Sequence, residues 1–427
     1  MGPALPNGCR YGGTTPGAAS IIARCAHAID SMKILLVNKF AYVTGGADRV
    51  FLDLASGLRE RGHDVTVLST DASANEERRG YFVPPTVTAK TRDDMSLLAA
   101  ARVARDALWN AQVYRATNDA IRAARPDILH AFKLYPQLSV APIAAAAQAG
   151  IPVVQSALDY EFISANPLDE KGSAHDRAET RLAYRRLNEL LHLVRRRWHT
   201  PRVGRFVTCS RFVAARYASK GLVARVAPNP VQAYAEAVGG WNEREGAVFA
   251  ARLHESKGVR DVVRAAELLP ETRFTIVGSG PLENEVVKAA SRLPNLSHVG
   301  WLDLPGLRGL FASARVVLTP SRWQEPGALT SLEAMATGTP VVTYRSGGLT
   351  EYVEDAAAGL VVDSTPTALA AGVRAIESDS DDWERLSRNG IEASRTIHAP
   401  ETYLSRYEEV YRELAPAASS NAPSRRP

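Results

Sequence analysis

The chain has 427 residues, 45% hydrophobic and 23% charged, ordinary globular usage that excludes a disordered or fibrous protein and leaves room for two or three domains. Its 51 Lys and Arg against 46 Asp and Glu give a net charge of +5, far short of a nucleic-acid-binding signature, so no nucleic-acid partner is expected. Cys9, Cys25 and Cys209 are too scattered for a disulfide framework or a zinc site, which points to a reducing compartment. Only eight of the basic residues are Lys, an Arg bias that suggests a GC-rich bacterial genome.

In chain order, residues 1–31 are Gly- and Pro-rich, lack the pattern of a signal peptide, and read as a disordered lead-in. Met32-Lys-Ile-Leu-Leu-Val opens the fold as a buried strand. Further strands are predicted at 64–69, 127–131, 152–156, 205–208 and 223–227, then at 247–251, 273–277, 297–300, 315–319, 340–343 and 360–362. Helical periodicity intervenes at 47–61, 95–123, 137–149, 174–198 and 210–219, and later at 258–269, 281–293, 305–313, 328–337, 366–377 and 381–396. A helix over 402–414 has Tyr403, Tyr407, Val410, Tyr411 and Leu414 near one face. Strand–helix alternation with continuously apolar strands predicts parallel sheets covered on both faces, and it occurs twice. The break falls in 227–246, with Pro228, Pro230, Gly239 and Gly240. Residues 416–427 read as a loose tail. No segment reaches the ~18 apolar residues of a membrane span.

Several stretches carry candidate chemistry. Gly45-Gly46, between the first strand and an amphipathic helix, lets backbone approach a ligand, with Asp48 complementing the helix dipole. His130 ends a strand, a place where His is usually structural. Asp159 follows another strand. Segment 175–205 is Arg-rich with an apolar stripe of Ala183, Leu187, Leu190, Val194 and Trp198; it suits either a core-packed helix with a solvated face or contact with anionic lipid. Arg252 and Lys257, at a strand end and a helix start, suit a diphosphate, though two surface charges would read the same way. Gly278-Ser-Gly280-Pro281-Leu282 is weak as a dinucleotide fingerprint but can admit a flat base. In Glu325-Pro-Gly327-Ala328-Leu329-Thr-Ser-Leu-Glu333 a helix start offers free amides to an anion. The two carboxylates, roughly 9–12 Å apart at 1.5 Å per residue, can bracket an elongated ligand, one at a sugar and one at a ribose. Alone, either Glu reads as a cap or a solvated charge. Asp379-Ser-Asp381 reads as a helix cap and not as a metal site.

These motifs, in this order and followed by Ser346-Gly-Gly-Leu-Thr-Glu351, resemble the retaining glycosyltransferases of family four, from about Met32 to Ala415 and most specifically between Arg252 and Asp363. The resemblance implies an α/β chain with the GT-B fold, two facing Rossmann-like domains with a cleft between them. Residues 32–230 would be the acceptor side and 246–400 the donor side, with 401–415 crossing back to the first domain. It implies that Arg252 and Lys257 clasp the nucleotide diphosphate, that Glu333 binds ribose hydroxyls and that Glu325 holds the donor sugar. Gly278, Gly280, Pro281 and Leu282 would lie by the base, and Gly327, Ala328 and Leu329 would present helix amides. Gly45 and Gly46 would face the diphosphate, His130 would reach the donor sugar or acceptor hydroxyl, and Asp159 would face the acceptor. Gly327 and Ala328 depart from the family, which usually has a bulky residue and then Gly there. The activity implied is metal-independent, cofactor-free transfer with retention from a UDP-, GDP- or ADP-sugar to a glycan, lipid-linked glycan or small-molecule hydroxyl. It would occur in the bacterial cytoplasm, with segment 175–205 available to the inner face of the plasma membrane. A sugar-nucleotide epimerase on a similar fold, an inactive nucleotide-sugar binding subunit and a peripheral membrane adaptor are the rival readings.

Overall fold

The computed structural model describes residues 31–86, 97–165, 182–234 and 239–415. Residues 1–30 of the lead-in 1–31, the tail 416–427 and the first part of the basic segment, 175–181, lie outside the described residues.

The first sheet contains β1 (Lys33–Val37), β2 (Asp64–Thr70), β3 (Gly80–Val83), β4 (Ile128–Ala131), β5 (Val153–Ser156), β6 (Arg205–Thr208) and β7 (Ala224–Val226). Their spatial order is β3-β2-β1-β4-β5-β6-β7, and every pairing is parallel. The helices on this side are α1 (Gly46–Glu60), α2 (Leu97–Leu108), α3 (Ala111–Ala124), α4 (Ala141–Gln148), α5 (Leu182–Val194) and α6 (Arg211–Ala218). Successive strand residues point to opposite faces. Ile34 and Leu36 therefore pack with Phe51 and Leu54 of α1, while Leu35 and Val37 pack with Val113 of α3 and Ile143 of α4.

The second sheet contains β8 (Ala247–Ala250), β9 (Phe274–Val277), β10 (Leu296–Gly300), β11 (Val316–Thr319), β12 (Val341–Tyr344) and β13 (Gly359–Val362) in the order β10-β9-β8-β11-β12-β13, again all parallel. Its helices are α7 (Val259–Leu268), α8 (Glu283–Arg292), α9 (Leu304–Ser313), α10 (Leu329–Ala336), α11 (Gly347–Ala356), α12 (Pro366–Ser378) and α13 (Ser380–Arg395). The two faces again take alternate residues: Phe249 and Leu318 join Val262 and Leu369, whereas Val248 and Val317 join Leu332 and Val353. Each such side chain contributes about 1.5–3 kcal/mol on burial. The last helix, α14 (Pro400–Leu414), lays Tyr403, Tyr407 and Tyr411 in the core of the first sheet. Glu408 meets His63 at 3.2 Å and Arg61 at 3.0 Å.

Four local features differ from the sequence expectation. β3 is a short edge strand with half-buried side chains, too weak a pattern to register. The helix expected over 95–123 breaks at Asn110, whose side chain accepts from the amides of Gln112 and Val113 and caps α3. α11 begins Gly347-Gly348, poor helix formers that hide its start. The stripe expected on 183–198 holds only in part: Leu187 and Val194 pack on the core beside buried Leu191, whereas Leu190 and Trp198 are exposed, and α5 passes into a π-helical turn at Arg195–His199 that shifts the phase. Asp379 caps α13 through the Asp382 amide, as expected of a capping Asp.

Candidate functional site

In an open parallel sheet, ligands bind outside the carboxyl ends of the strands, where strand order reverses. The first sheet reverses between β1 and β4, and the second between β8 and β11. A cavity of about 430 Å³ lies where these two points face each other. Gly46, Lys133, Leu158, Asp159 and Cys209 line it from the first sheet; Ala250, Ala251, Lys257, Thr319, Ser321 and Trp323 line it from the second. Glu325, Pro326, Gly327, Ala328, Leu329 and Thr330 complete the wall.

On the second-domain wall, Lys257 Nζ is 2.5 Å from Glu325 Oε1, and the Ser321 hydroxyl donates to the same oxygen at 2.6 Å. The ammonium also lies 5.4 Å from the centre of the Trp323 ring. Glu325 is buried, so these partners are what make its carboxylate tolerable there. Leu329 and Thr330 begin α10, and first-turn amides have no acceptor within their own helix. Lysine, helix start and carboxylate thus share one corner, a cation and a partial positive field beside an oriented acceptor.

On the opposite wall, Lys133 Nζ is 2.9 Å from Asp159 Oδ2. The Asp159 carboxylate holds the Lys133 ammonium well above its ordinary range, against the effect of burial. Burial pushes Asp159 up, but Lys133 and the Glu161 amide outweigh it and hold the carboxyl low. Glu161 beside them is pushed up to about 7, by burial first and then by Asp159. Across the cleft, a Cβ on Gly46 would lie 3.0 Å from Leu329 Cδ1, a contact tight enough that the leucine would have to shift.

The loop that carries Glu325 is stitched to the first domain. Ser210 Oγ donates to the Pro326 carbonyl at 2.6 Å, and Tyr160 OH to the Gln324 carbonyl at 2.8 Å. Tyr352 OH donates to the Cys209 carbonyl at 2.7 Å and accepts from the Asn229 amide at 3.1 Å. Gly327 sits inside this seam: an added Cβ would be 2.7 Å from Tyr352 OH and 3.1 Å from Cys209 Sγ. That explains the departure from the family pattern, because Tyr352, Cys209 and Asn229 occupy the space a bulky residue would need. Cys209 is buried, and burial pushes its thiol up to about 12, so it is a packing group and not a nucleophile.

Other predicted residues fall elsewhere. His130 is fully buried, with Nδ1 2.7 Å from Tyr411 OH and Nε2 2.8 Å from Ser156 Oγ. Both ring nitrogens are used, burial pushes its pKa down to about 3, and it does not line the cavity. The expected contact with sugar or acceptor is therefore replaced by a structural one, a clamp between β4, β5 and α14. Arg252 is exposed and outside the cavity, next to its rim residue Ala251. Gly278 and Gly280 have φ of 128° and 156°, and an added Cβ would meet the carbonyls of Ala251 and Leu253 at 2.0 and 2.6 Å. That turn, with Pro281 and the buried Leu282, braces the strand end before Lys257 and does not line the cavity. Gly45 caps α1 in extended backbone, beside Gly46. Glu333 lies one helical turn past Leu329, outside the cavity, with Oε2 2.6 Å from Arg308 Nε.

Sequence reasoning missed Lys133, Ser321, Trp323 and Asn229. Lys133 carried a usable signal, being the first charge after β4 at the switch point. Trp323 Nε1 and Asn229 Oδ1 are buried without a partner among the described residues, a donor and an acceptor that a ligand can satisfy. Among the described residues no group of three or more His, Cys, Asp or Glu is arranged to hold a metal ion.

Two doubly wound domains meeting at their strand ends, with lysine, carboxylate and helix start at the seam, define a GT-B architecture. Residues 44–233 match the profile described as "Glycosyltransferase Family 4", and residues 235–393 that described as "Glycosyl transferases group 1". The chain belongs to this family of glycosyltransferases. It is 36% identical over 163 residues to D-inositol 3-phosphate glycosyltransferase of Arthrobacter sp. (strain FB24), covering 36% of this chain and 38% of that one. It is 35% identical over 149 residues to glycogen synthase of Mycobacterium tuberculosis (strain ATCC 25618 / H37Rv), covering 33% and 36%. The matched stretches thus span well under half of these curated relatives. Among solved structures it resembles sucrose-phosphate synthase from Thermosynechococcus elongatus (TM-score 0.65, 17% identity, 89% of this chain and 98% of that one). It also resembles Anabaena HepE in complex with UDP (TM-score 0.62, 17% identity, 90% and 100%).

Proposed function

We propose that the protein transfers a sugar from a nucleoside diphosphate sugar to an acceptor hydroxyl, with retention and without a metal ion. The observation that carries this reading is the Lys257–Glu325 contact beside the first turn of α10, at the facing switch points of the two sheets. The bond between the anomeric carbon and the diphosphate oxygen breaks. Charge builds on the departing phosphate, where Lys257 and the amides of Leu329 and Thr330 stabilise it. Glu325 holds a sugar hydroxyl and faces the oxocarbenium-like carbon. The acceptor oxygen enters from the same face, and its proton passes to the departing phosphate oxygen. No side chain serves as nucleophile, and His130 takes no part. Lys133 and Asp159 on the first-domain wall orient the acceptor, and Glu333 reaches the ribose. Arg252 at the rim and the Gly278–Leu282 turn flank the nucleotide.

The acceptor is a glycan, a lipid-linked glycan or a small molecule, and we place the reaction in bacterial cell-surface glycan synthesis on the cytoplasmic side of the membrane. Two observations support that setting. Among the described residues no helix is long and apolar enough to cross a membrane. Residues 186–202 expose Leu190, Leu193 and Trp198 beside Arg196, Arg197 and Arg202, a surface suited to an anionic bilayer. The test is a thermal-unfolding screen of UDP-, GDP- and ADP-sugars, since a ligand at 100 times its Kd adds about 2.7 kcal/mol. Stabilisation by one nucleotide series supports the proposal; no shift with any of them overturns it.

A further inference from the structure

Glu333 is held in an unusual way for a helix-surface carboxylate. Arg308 Nε, from α9, reaches its Oε2 at 2.6 Å, and both side chains are mostly buried, at 16% and 15% exposure. The Arg308 guanidinium lies over the Tyr234 ring at 5.2 Å, so it is fixed on its other side as well. Oε1 of Glu333 has no protein partner among the described residues. Across the cleft, Asp53 of α1 pairs with Arg49 at 3.4 Å, and its carboxyl is raised by burial first and then, against the pull of Arg49, by the field of Glu333. From α1 to α9 the row runs Arg49, Asp53, Glu333, Arg308, two carboxylates held between two arginines, with one carboxylate oxygen of Glu333 left to accept a hydrogen bond.

We infer that Arg308 is a positioning residue that presents Glu333 Oε1 to a ribose hydroxyl, making the site select ribonucleotides over 2′-deoxyribonucleotides. This rests on the nucleotide-sugar reading above. A free glutamate loses rotamer freedom when a ligand fixes it, and that loss weakens binding. Here the arginine fixes the carboxylate before the ligand arrives, so the hydroxyl contact is gained at little further cost. A deoxyribose leaves the oriented carboxylate short of its donor, which is where a hydrogen-bonding site discriminates most strongly.

The experiment titrates UDP, GDP and ADP, each paired with its 2′-deoxy form, into the full chain and into Arg308→Met, Arg308→Lys, Glu333→Gln and the Arg308→Met/Glu333→Gln double variant. For the nucleotide that binds, the wild type should prefer the ribo form by about tenfold, the scale of one good hydrogen bond to a charged group. Arg308→Met should cut that preference below about threefold while leaving 2′-deoxy affinity within about twofold, Arg308→Lys should recover part of it, and the double variant should match Glu333→Gln. A full preference in Arg308→Met, or a double variant weaker than Glu333→Gln by the whole Arg308→Met effect, overturns the inference. A full preference in Glu333→Gln overturns the ribose assignment, and no binding of any nucleotide overturns the functional reading itself. Should Arg308→Met fail to fold, Tyr234→Leu frees the arginine from its other side; it should lower the preference at least twofold, and an unchanged ratio overturns the inference.

Discussion

The Ser210 hydroxyl, in the first domain, donates to the carbonyl of Pro326, the residue after Glu325, at 2.6 Å. The carboxylate proposed to hold the donor sugar is thus positioned by the domain proposed to hold the acceptor. Arg211, next in the chain, donates to both carboxylate oxygens of Asp355 at 2.7 and 2.9 Å, and its amide donates to Glu351 at 2.9 Å. Tyr160 to Gln324, Ser210 to Pro326 and Arg211 to Asp355 thus join the two domains beside the loop that carries Glu325.

Ser210→Ala tests that coupling. The hydroxyl also caps α6 through the Val213 amide, so the variant should lose about 1–2 kcal/mol of stability. Its kcat should fall several-fold while nucleotide affinity changes less than twofold, because Lys257 and α10 stay in place. Urea unfolding and steady-state kinetics read both numbers. Unchanged kcat would show that the Pro326 contact does not govern the site.

Gly327→Met restores the bulk that related enzymes carry. Here it drives a side chain into Tyr352, Cys209 and Asn229, and overpacking of this kind costs about 1–3 kcal/mol. Lower thermal stability is expected. Adding Tyr352→Ala should recover at least half of the loss by opening room. A single variant as stable as the wild type would mean that the seam is not the reason for glycine.

Burial pushes His130 and His199 down to about 3 and His398 to about 4, so all three are neutral in the folded protein at neutral pH. An unfolded chain protonates its imidazoles near 6.5. Below that pH the unfolded state binds protons that the folded state does not, so stability is full above 6.5 and falls as the pH drops toward 3–4. Each imidazole accounts for about 2 kcal/mol by pH 5. Burial lowers His192 as well, while Glu161, raised to about 7, and Asp53, raised by burial, have the opposite sign. His130→Gln should be less stable than wild type at pH 7.5, yet lose about 2 kcal/mol less on going to pH 5. Its kcat, once folded, should stay within about twofold of wild type. A large fall in kcat at intact stability would return His130 to the chemistry.

The exposed apolar and basic surface around α5 predicts binding to vesicles of phosphatidylglycerol and phosphatidylcholine, and not to phosphatidylcholine alone. Leu193→Glu with Arg197→Glu should abolish sedimentation with the anionic vesicles without changing nucleotide binding. Equal sedimentation of the wild type with both vesicle types would remove the membrane proposal.

Much of the fold was legible because strands buried on both faces leave continuous apolar runs such as Ile34–Val37 and Val316–Leu318. What escaped has local causes. β3 borrows its stability from β2 and has little apolar pattern of its own. The π turn at 195–199 changes the helical phase, which a fixed 3.6-residue period cannot foresee. At the site, Lys257 and Glu325 were readable from chain position. Their mutual contact, Lys133 opposite them and the Arg308 hold on Glu333 are tertiary juxtapositions with no signature along the chain. His130 shows the converse. A histidine at a strand end looks available until α14, 281 residues away in sequence, supplies Tyr411 as its partner.

Binding of a nucleotide sugar in this cleft through Lys257 and Glu325 underlies the proposed activity. It is tested most directly by titrating UDP, GDP and ADP, and their hexose conjugates, into the wild type, Lys257→Ala and Glu325→Gln, with and without EDTA. One nucleotide series should bind regardless of EDTA, and Lys257→Ala should weaken both members of the series by at least ~2 kcal/mol, the scale of one lost charged stabiliser. The conjugate should bind more tightly than the free nucleotide only while Glu325 is present. Binding that vanishes with EDTA and returns with Mg²⁺, or affinities that neither substitution changes, would contradict it.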